Sequence, residues 1–434
     1  MKHATTGRAA GPVRARTGGL FTARYLSFLS AMGLSSLGDA AWYVTLAWTL
    51  TETTSPGTAG AVLALASLPQ LLTLLGGGAV ADSAGPRRVM YRADVARAGV
   101  MVVAAGLVAV TGPDVVVLVV AAAALSLCAA FFVPASGAFR ARLLPREHLV
   151  RGNALYLSGL RGGQALGGPL GGGLLALGGV PLVAAVNAAT FGLAAFAVRK
   201  ARGLPGSTEE RARAVEDAAA DAGRDAPPPA AIRTFRQQIA DGLRTVVRRP
   251  HLRSVMLVIG LVELSAGGPV NVGIVLLAGT YGSGAGGAGL LLTLFTVGAT
   301  AGFLLTLVWP ARRRAGRVVL LGSVVQTGCL ASLAMVSSLH WALVPYCLIG
   351  LVSGVGGIVL VSLVQRWSPE SARGRVMSVQ ALLIFGAAPL GNLLIGVLAE
   401  GFGMRAAFAT HAALAGCAAL TLLLVRPLRE ARLD

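Results

Sequence analysis

Residues 264–311 form a run of 48 amino acids that contains no Asp, Glu, Lys or Arg. A run of this length is sufficient for two membrane-spanning helices of about 20 residues each. Only 13% of the chain is charged, which is about half the fraction expected of a soluble domain. Because the bilayer interior offers no hydrogen-bonding partners, such a chain must satisfy its backbone groups within helices. The ten-residue alternating segments typical of a membrane β-barrel do not occur, so we expect an all-α membrane protein.

Apolar stretches of membrane-spanning length recur along the chain and predict twelve transmembrane helices. The predicted spans are 25–50, 57–81, 89–111, 115–138, 154–178, 181–198, 253–279, 285–309, 318–337, 341–364, 377–399 and 405–425. Similar stretches follow the fourth and tenth spans, reading RLLPREHLVRGNAL and RWSPESARGRVMSV. This internal echo predicts two pseudo-symmetric six-helix halves, an architecture that many transporters use to alternate access to a central site.

Basic residues identify the side of the membrane on which each connection lies. Of the 37 Lys and Arg residues, 34 lie in the two tails, the even-numbered connections and the central segment. Positive residues mark the cytoplasmic side, so both termini are expected in the cytoplasm of a bacterial cell, with the chain in its inner membrane. The net charge of +19 is therefore a consequence of topology, and we expect no nucleic-acid partner.

The same pattern divides the chain into five parts. They are a cytoplasmic tail 1–24, a six-helix half 25–198, a cytoplasmic linker 199–252, a second six-helix half 253–425 and a cytoplasmic tail 426–434. Within the linker, FRQQIADGLRTVVRR (235–249) alternates apolar and basic side chains at helical spacing. This spacing is typical of an amphipathic helix that lies on the membrane surface.

The connection between spans two and three carries a recognisable motif, GGAVADSAGPRRVMYRADVARA, residues 77–98. Its residues Gly78, Asp82, Gly85, Arg87 and Arg88 resemble the loop motif of the major facilitator superfamily. The sequences SSLGD in span one, RADVARA in span three, FVPASGAFRARLLPREHLVRGNAL after span four, NAATF in span six and RWSPESARGRVMSV after span ten are similar to the efflux branch that includes enterobactin and macrolide exporters. This resemblance covers nearly the whole chain.

The resemblance implies a conformational latch and a motif associated with antiport. In the family, the acid of this loop is thought to cap a helix of the other half and to hold the outward-open state. That role would fall to Asp82, with Arg87 or Arg88 nearby and with Asp94 and Arg97 one turn deeper. The sequence GGPLGGG in span five resembles part of the antiporter motif at Gly168, Pro169, Gly172 and Gly173. The alternative is that the charges only anchor the loop and fix its topology.

Two acidic residues, Asp39 and Glu263, fall near the middle of the hydrocarbon, about 20 Å and 15 Å into spans one and seven. A carboxylate at this depth costs several kcal/mol unless it is compensated, so such residues usually have a function. Polar and aromatic neighbours share the same helix faces: Ser35, Trp42 and Tyr43 beside Asp39, and Asn271 beside Glu263. Pro269 should interrupt the helix between Glu263 and Asn271.

In the family that the chain resembles, spans one and seven are symmetry mates that line a central cavity. The resemblance therefore implies that both acids face this cavity, where each could exchange a proton or pair with a cationic substrate. The alternative is that they only hydrogen-bond neighbouring helices. Asp94 can pair locally with Arg97, three residues further along the same helix. Arg161, about two turns into span five, is expected to extend to the membrane surface, with pairing to a buried acid as the alternative.

These observations predict a monomeric secondary transporter, in the lipid bilayer, whose partners are a small-molecule substrate and protons. The sequence has no nucleotide-binding loop, no nucleophile–base pair and no metal-type cluster, so we expect neither an enzyme nor a cofactor nor a metal site. The favoured function is proton-driven export of an amphipathic drug, antibiotic, siderophore or other secondary metabolite. The alternatives are a proton-coupled importer of a small metabolite and a membrane receptor or partner protein that transports nothing.

Overall fold

The structure is a computed structural model that describes residues 22–144, 149–201, 235–308 and 314–432. The described residues contain twelve long helices, which follow the twelve predicted spans in order. The predicted all-α fold with two six-helix halves is therefore confirmed. The N-terminal tail as far as residue 21 and most of the predicted linker, residues 202–234, lie outside the described residues.

The first half contains α1 to α6. Four of these are α1 (Ala23–Thr53), α2 (Pro56–Ala84), α3 (Pro86–Thr111) and α4 (Val115–Leu143). The segment Leu149–Lys200 contains α5 and α6, which meet at Gly178 and Gly179, where the backbone leaves the helical region. Gly179 has a φ of 65°, which an L-residue with a side chain rarely adopts, so glycine makes this tight connection possible.

The second half follows a linker helix, α7 (Phe235–Arg248). Its helices are α8 (Pro250–Thr280), α9 (Gly284–Val308), α10 (Ala315–Leu333) and α11 (Leu339–Trp367), then α12 and α13 within Arg373–Leu424, and the short α14 (Arg426–Arg429). Helices α12 and α13 meet at Gly403, whose φ is 80°. Among the described residues, eight helical stretches are long and apolar enough to cross a membrane, and two of these stretches hold two helices each.

Local sequence signals explain where several helices begin. Asp114 caps α4, because its carboxylate accepts hydrogen bonds from the amides of Val116 and Val117 at 2.8 and 3.2 Å. Pro residues open α2, α3 and α8, where the missing amide hydrogen would have no helical partner. These signals fix the residues at which the helices begin, next to the short connections at the two ends of the bundle.

The two halves repeat the same set of helix contacts. In the first half, α1 packs on the α5–α6 pair, and α2 and α3 both pack on α4. In the second half, α8 packs on the α12–α13 pair, and α9 and α10 both pack on α11. Between the halves, α2 packs on α12 and α5 packs on α9. Each of these contacts pairs the second helix of one half with the fifth helix of the other half, as a pseudo-twofold axis requires.

We call the side on which α1 begins and α7 lies the linker side, and the opposite side the distal side. On the linker side, Val246 of α7 is buried against the second half, whereas Leu243 and Val247 on its other face are exposed. The predicted amphipathic helix is therefore present, with one apolar face against the protein and another turned away from it. Its contact with the membrane surface stays a prediction.

Candidate functional site

A cavity of about 680 Å³ lies between the halves and extends toward the linker side. Helix α5 forms its wall on the first half, and helices α8 to α12 form the rest. Its volume lies within the range of 300–1,000 Å³ that is typical of sites for small molecules. Most of its lining is aliphatic or aromatic, with Phe295 and Phe303 of α9 among the larger side chains. An amphipathic molecule of drug size would fit such a space.

Glu263 and Asn271 both line this cavity from helix α8. Glu263 lies between two residues that are hydrogen-bonded to α10. Gln326 of α10 donates to Ser265 Oγ at 2.8 Å and to the carbonyl group of Val262 at 3.3 Å. These bonds fix α8 against α10 on either side of the acid. The carboxyl group of Glu263 has no hydrogen bond or ion pair to a described residue, so it is available to a proton or a ligand.

The backbone of α8 is interrupted where the sequence predicts it. Residues Pro269–Gly273 form a π-helical turn between two α-helical parts. Proline lacks the amide hydrogen that an α-helix would use, and the Pro269 carbonyl group accepts hydrogen bonds from the Ile274 amide and, at 2.8 Å, from Tyr346 Oη. Asn271 lies within this turn, so the irregular backbone places an amide side chain in the cavity wall.

Arg161 also lines the cavity, from helix α5. Its guanidinium group donates to Gln164 Oε1 at 3.0 Å, one turn further along the same helix. The Arg161 side chain is exposed, and its extension to the membrane surface stays a prediction.

Asp39 is not among the residues that line this cavity. Its side chain is exposed and has no ion pair within 4.0 Å to a described residue, and the nearest charges that influence it are those of Arg97 and Asp94 on α3. Arg97 Nη1 lies 3.5 Å from Asp94 Oδ1, which is the local pairing expected of these two residues. The guanidinium also lies over the rings of Phe132 and Phe191, with its central carbon 4.3 and 5.4 Å from the ring centroids. That both mid-membrane acids face one central cavity stays a prediction, and the structure places Glu263 in the lining of the cavity described here.

The three predicted neighbours of Asp39 on α1 are less exposed than Asp39 itself. Ser35 and Trp42 are buried, and Tyr43 is half-buried. None of the three lines the cavity described above. The indole nitrogen of Trp42 and the hydroxyl of Tyr43 are buried without a hydrogen-bond partner among the described residues. Gly38, in the SSLGD motif, packs against Asn187 and Thr190 of the NAATF motif, so these two motifs are in contact.

The predicted latch loop makes contacts within its own half. Gly85 has a φ of 82°, which permits the tight turn between α2 and α3. Arg87 Nε donates to the carbonyl group of Val198 at 3.2 Å, and Arg87 Nη2 donates to that of Arg199, so this cation caps the end of α6. Arg88 is exposed. Of Gly78 and Asp82 only the helical backbone is described, and the latch stays a prediction.

On the distal side, glycines bring the two halves into close contact. A Cβ atom on Gly168 would lie 2.7 Å from the carbonyl oxygen of Gly289, and one on Gly172 would lie 2.7 Å from the amide nitrogen of Gly286. Helices α5 and α9 therefore touch backbone to backbone. Pro169 and Gly173, the other two residues of the antiporter-like motif, are exposed. The structure is thus closed between these helices on the distal side, while the cavity lies toward the linker side.

Glu400, at the distal end of α12, makes a second contact between the halves. Its Oε2 atom accepts hydrogen bonds from Ser55 Oγ at 2.7 Å and from the Gly57 amide at 2.8 Å. The carboxylate therefore lies at the first turn of α2, where the helix dipole favours a negative charge. Neither Glu400 nor Gln326 nor Tyr346 was singled out in the sequence, because each depends on a partner more than 60 residues away.

We expect Glu400→Ala to shift the protein toward a form that is open on the distal side. The shift should be about fivefold, since a charge-assisted contact at an exposed site is worth on the order of 1 kcal/mol. Distances between spin labels at the distal ends of α2 and α12 would measure it. Glu52→Ala is the matched control, because Glu52 is also acidic, exposed and distal. An equal distance distribution in the two variants would contradict this role of Glu400.

Comparison with known proteins places this site in a family. A sequence model described as the Major Facilitator Superfamily matches residues 28–366 and, in an overlapping match, residues 257–434. The chain is 27% identical over 395 residues to the Multidrug efflux pump Tap of Mycolicibacterium fortuitum, covering 88% of this chain and 91% of that protein. It is 28% identical over 438 residues to the protein of the same name from Mycobacterium tuberculosis (strain ATCC 25618 / H37Rv), covering 93% of each.

Solved structures have the same fold at low sequence identity. A D-xylose-proton symporter superposes with a TM-score of 0.72 and 14% identity, covering 94% of this chain and 99% of that chain. A bacterial homologue of the human lysosomal transporter Spinster, in an inward-facing and unoccupied conformation, has a TM-score of 0.69 and 13% identity over 94% of this chain and 97% of that chain. At these identities the similarity concerns the fold alone.

Proposed function

The chain belongs to the Major Facilitator Superfamily, and from that premise we propose that it exports an amphipathic small molecule in exchange for protons. The observation that carries this proposal is the acid Glu263 in the wall of a cavity that lies between the halves and extends toward the linker side. The relatives named as multidrug efflux pumps support the direction of transport. Each chain has a complete cavity between its own two halves, so the functional unit is a monomer.

The orientation follows from the distribution of basic residues. The linker side carries almost all of them, and it therefore faces the cytoplasm of a bacterial cell, with the chain in the inner membrane. The cavity is then loaded from the cytoplasm while the distal, outward side is closed. Substrate taken up in this state can leave only after the distal contacts between α5 and α9 open.

Exchange of a proton for the substrate follows from the chemistry of a single carboxylate. The ionised carboxylate of Glu263 attracts a cationic group of the substrate when the cavity faces the cytoplasm. After the halves switch, a proton from outside neutralises Glu263, and the substrate loses its counter-charge and leaves. Asp39, an exposed acid in the middle of α1, provides a second site in the first half at which a proton can be held.

Proton flux in proteoliposomes tests this proposal. An imposed pH gradient should drive movement of a fluorescent lipophilic cation by the wild type, with an opposite proton flux reported by a pH-sensitive dye. We expect Asp39→Asn and Glu263→Gln each to reduce coupled flux by at least about tenfold, because each removes a titrating group from the membrane. Glu430→Gln is the control, since Glu430 is outside the spans and paired locally with Arg426.

Two results would contradict the proposal. Coupled flux that survives both Asp39→Asn and Glu263→Gln would show that the proton is carried elsewhere. A substrate that moves in the same direction as the proton would show a symporter, the importing alternative.

A further inference from the structure

The charged groups in the cavity point to a particular class of substrate. Among the residues that line it, Arg161 and Glu263 are the ones that carry a formal charge. Arg161 is on α5 of the first half and Glu263 is on α8 of the second half, so the two opposite charges face the same space from different halves. No ion pair within 4.0 Å joins these two described side chains, and Glu263 has no other described ion pair.

Arg161 keeps donor capacity for a ligand. A guanidinium group has five N–H donors, and the contact with Gln164 uses one of them. The neighbouring lining residues Leu157 and Ser158 are on the same helix and carry no charge that could neutralise it. A carboxylate that accepts two parallel hydrogen bonds is the ligand that this planar group binds best.

The rest of the cavity lining is mostly apolar. Phe295 and Phe303 of α9 and Val262 of α8 line the same cavity, with Ser353 Oγ buried beside them and without a partner among the described residues. A ligand that carries only a positive charge would pair with Glu263 but would leave Arg161 without a counter-charge. A ligand that carries only a negative charge would pair with Arg161 but would leave Glu263 without a counter-charge.

We propose that the cavity selects zwitterionic amphiphiles, whose anionic group binds Arg161 while their cationic group binds Glu263 and whose apolar body lies against the aromatic wall. Arg161 is thereby a specificity-determining residue. This inference rests on the proposed export function, because it names the substrate class of the same site. A molecule of this kind bridges the two halves, so both charges of the site are compensated only when the ligand is bound.

Three closely related fluorescent probes test the charge selection directly. Nε-dansyl-lysine is a zwitterion, its methyl ester is a cation and its Nα-acetyl derivative is an anion. Binding to the purified protein is measured through dansyl fluorescence and is independent of transport. We expect the zwitterion to bind about tenfold more tightly than either derivative, which corresponds to one charge-assisted interaction lost in each case.

Variants assign that selection to Arg161. Arg161→Gln should bind the zwitterion and the methyl ester with equal affinity, whereas Arg161→Lys, which keeps the charge, should retain a preference for the zwitterion. Arg366→Gln is the control, since Arg366 is exposed on α11 and is not part of the cavity lining. Its preference should equal that of the wild type.

The possible results separate this inference from the proposed function. A wild type that binds the methyl ester as tightly as the zwitterion, that binds none of the three probes, or whose preference survives Arg161→Gln overturns the charge selection. Selective binding of the zwitterion without any proton-driven movement of it in proteoliposomes leaves the selection in place and overturns the proposed antiport.

Discussion

Gly172→Val should reduce export by about 100-fold or more, whereas Gly173→Val should leave it within about twofold. A Cβ atom on Gly172 would lie 2.7 to 2.9 Å from backbone atoms of Ala285 and Gly286, which cannot rotate away as a side chain could. A Cβ atom on Gly173 meets nothing within 4 Å. Overpacking against fixed backbone costs about 3 kcal/mol, and each 1.4 kcal/mol corresponds to a factor of ten.

The reduced export of Gly172→Val follows because the substituted side chain prevents the distal side from closing. The proposed cycle loads substrate from the linker side, and this requires α5 and α9 to be in contact at their distal ends. Gly172→Val should therefore accumulate in a distal-open form, which spin-label distances between α5 and α9 would detect alongside the export rate. Equal export by the Gly172→Val and Gly173→Val variants, with unchanged distances, would show that this contact does not limit transport.

Arg97→Ala should lower the free energy of unfolding by about 3–5 kcal/mol. Removing one partner of a buried pair leaves an uncompensated charge, here on Asp94, whose two carboxylate oxygens already have no hydrogen bond to a described residue. The variant also loses the stacking of the guanidinium over Phe132. Denaturant titration in detergent, or the temperature at which the monomeric peak is lost, would measure the effect.

A double variant distinguishes the loss of pairing from a loss of packing volume. Asp94→Asn combined with Arg97→Gln removes both charges, so it should recover much of the stability that Arg97→Ala loses. Arg92→Ala, an exposed arginine on the same helix, is the control and should be close to the wild type. An Arg97→Ala variant as stable as Arg92→Ala would show that the pair contributes nothing.

Much of the fold is predictable from the sequence because it depends on local composition. Apolar length places the spans, and glycines and prolines mark their ends, as at Gly85 and Pro86 between α2 and α3. The interruption at Pro269 is also predictable, because a proline inside a helix removes one hydrogen bond. These properties belong to short stretches of chain and need no knowledge of tertiary contacts.

The site is less predictable because it depends on which helix faces meet. Glu263 and Asp39 are both mid-span acids on symmetry-related helices, but Glu263 is among the residues that line the cavity described above and Asp39 is not. Likewise, Gly172 and Gly173 are adjacent and identical in sequence, and only the structure shows that Gly172 touches α9. Arg161 is equally ambiguous, since its depth permits a position at the surface or in the cavity.

The π-helical turn at Pro269–Gly273 has a consequence for the register of α8. Such a turn holds about one residue more than an α-helical turn, so it behaves as a single-residue insertion. Residues Ile274–Thr280 are consequently rotated by roughly 100° from where a continuous α-helix would put them. Helix α1, the symmetry partner, has no such turn and runs as one α-helix. An alignment of the two halves therefore needs a one-residue gap beyond Glu263, and deletion of one residue from the turn would direct a different set of side chains toward α1.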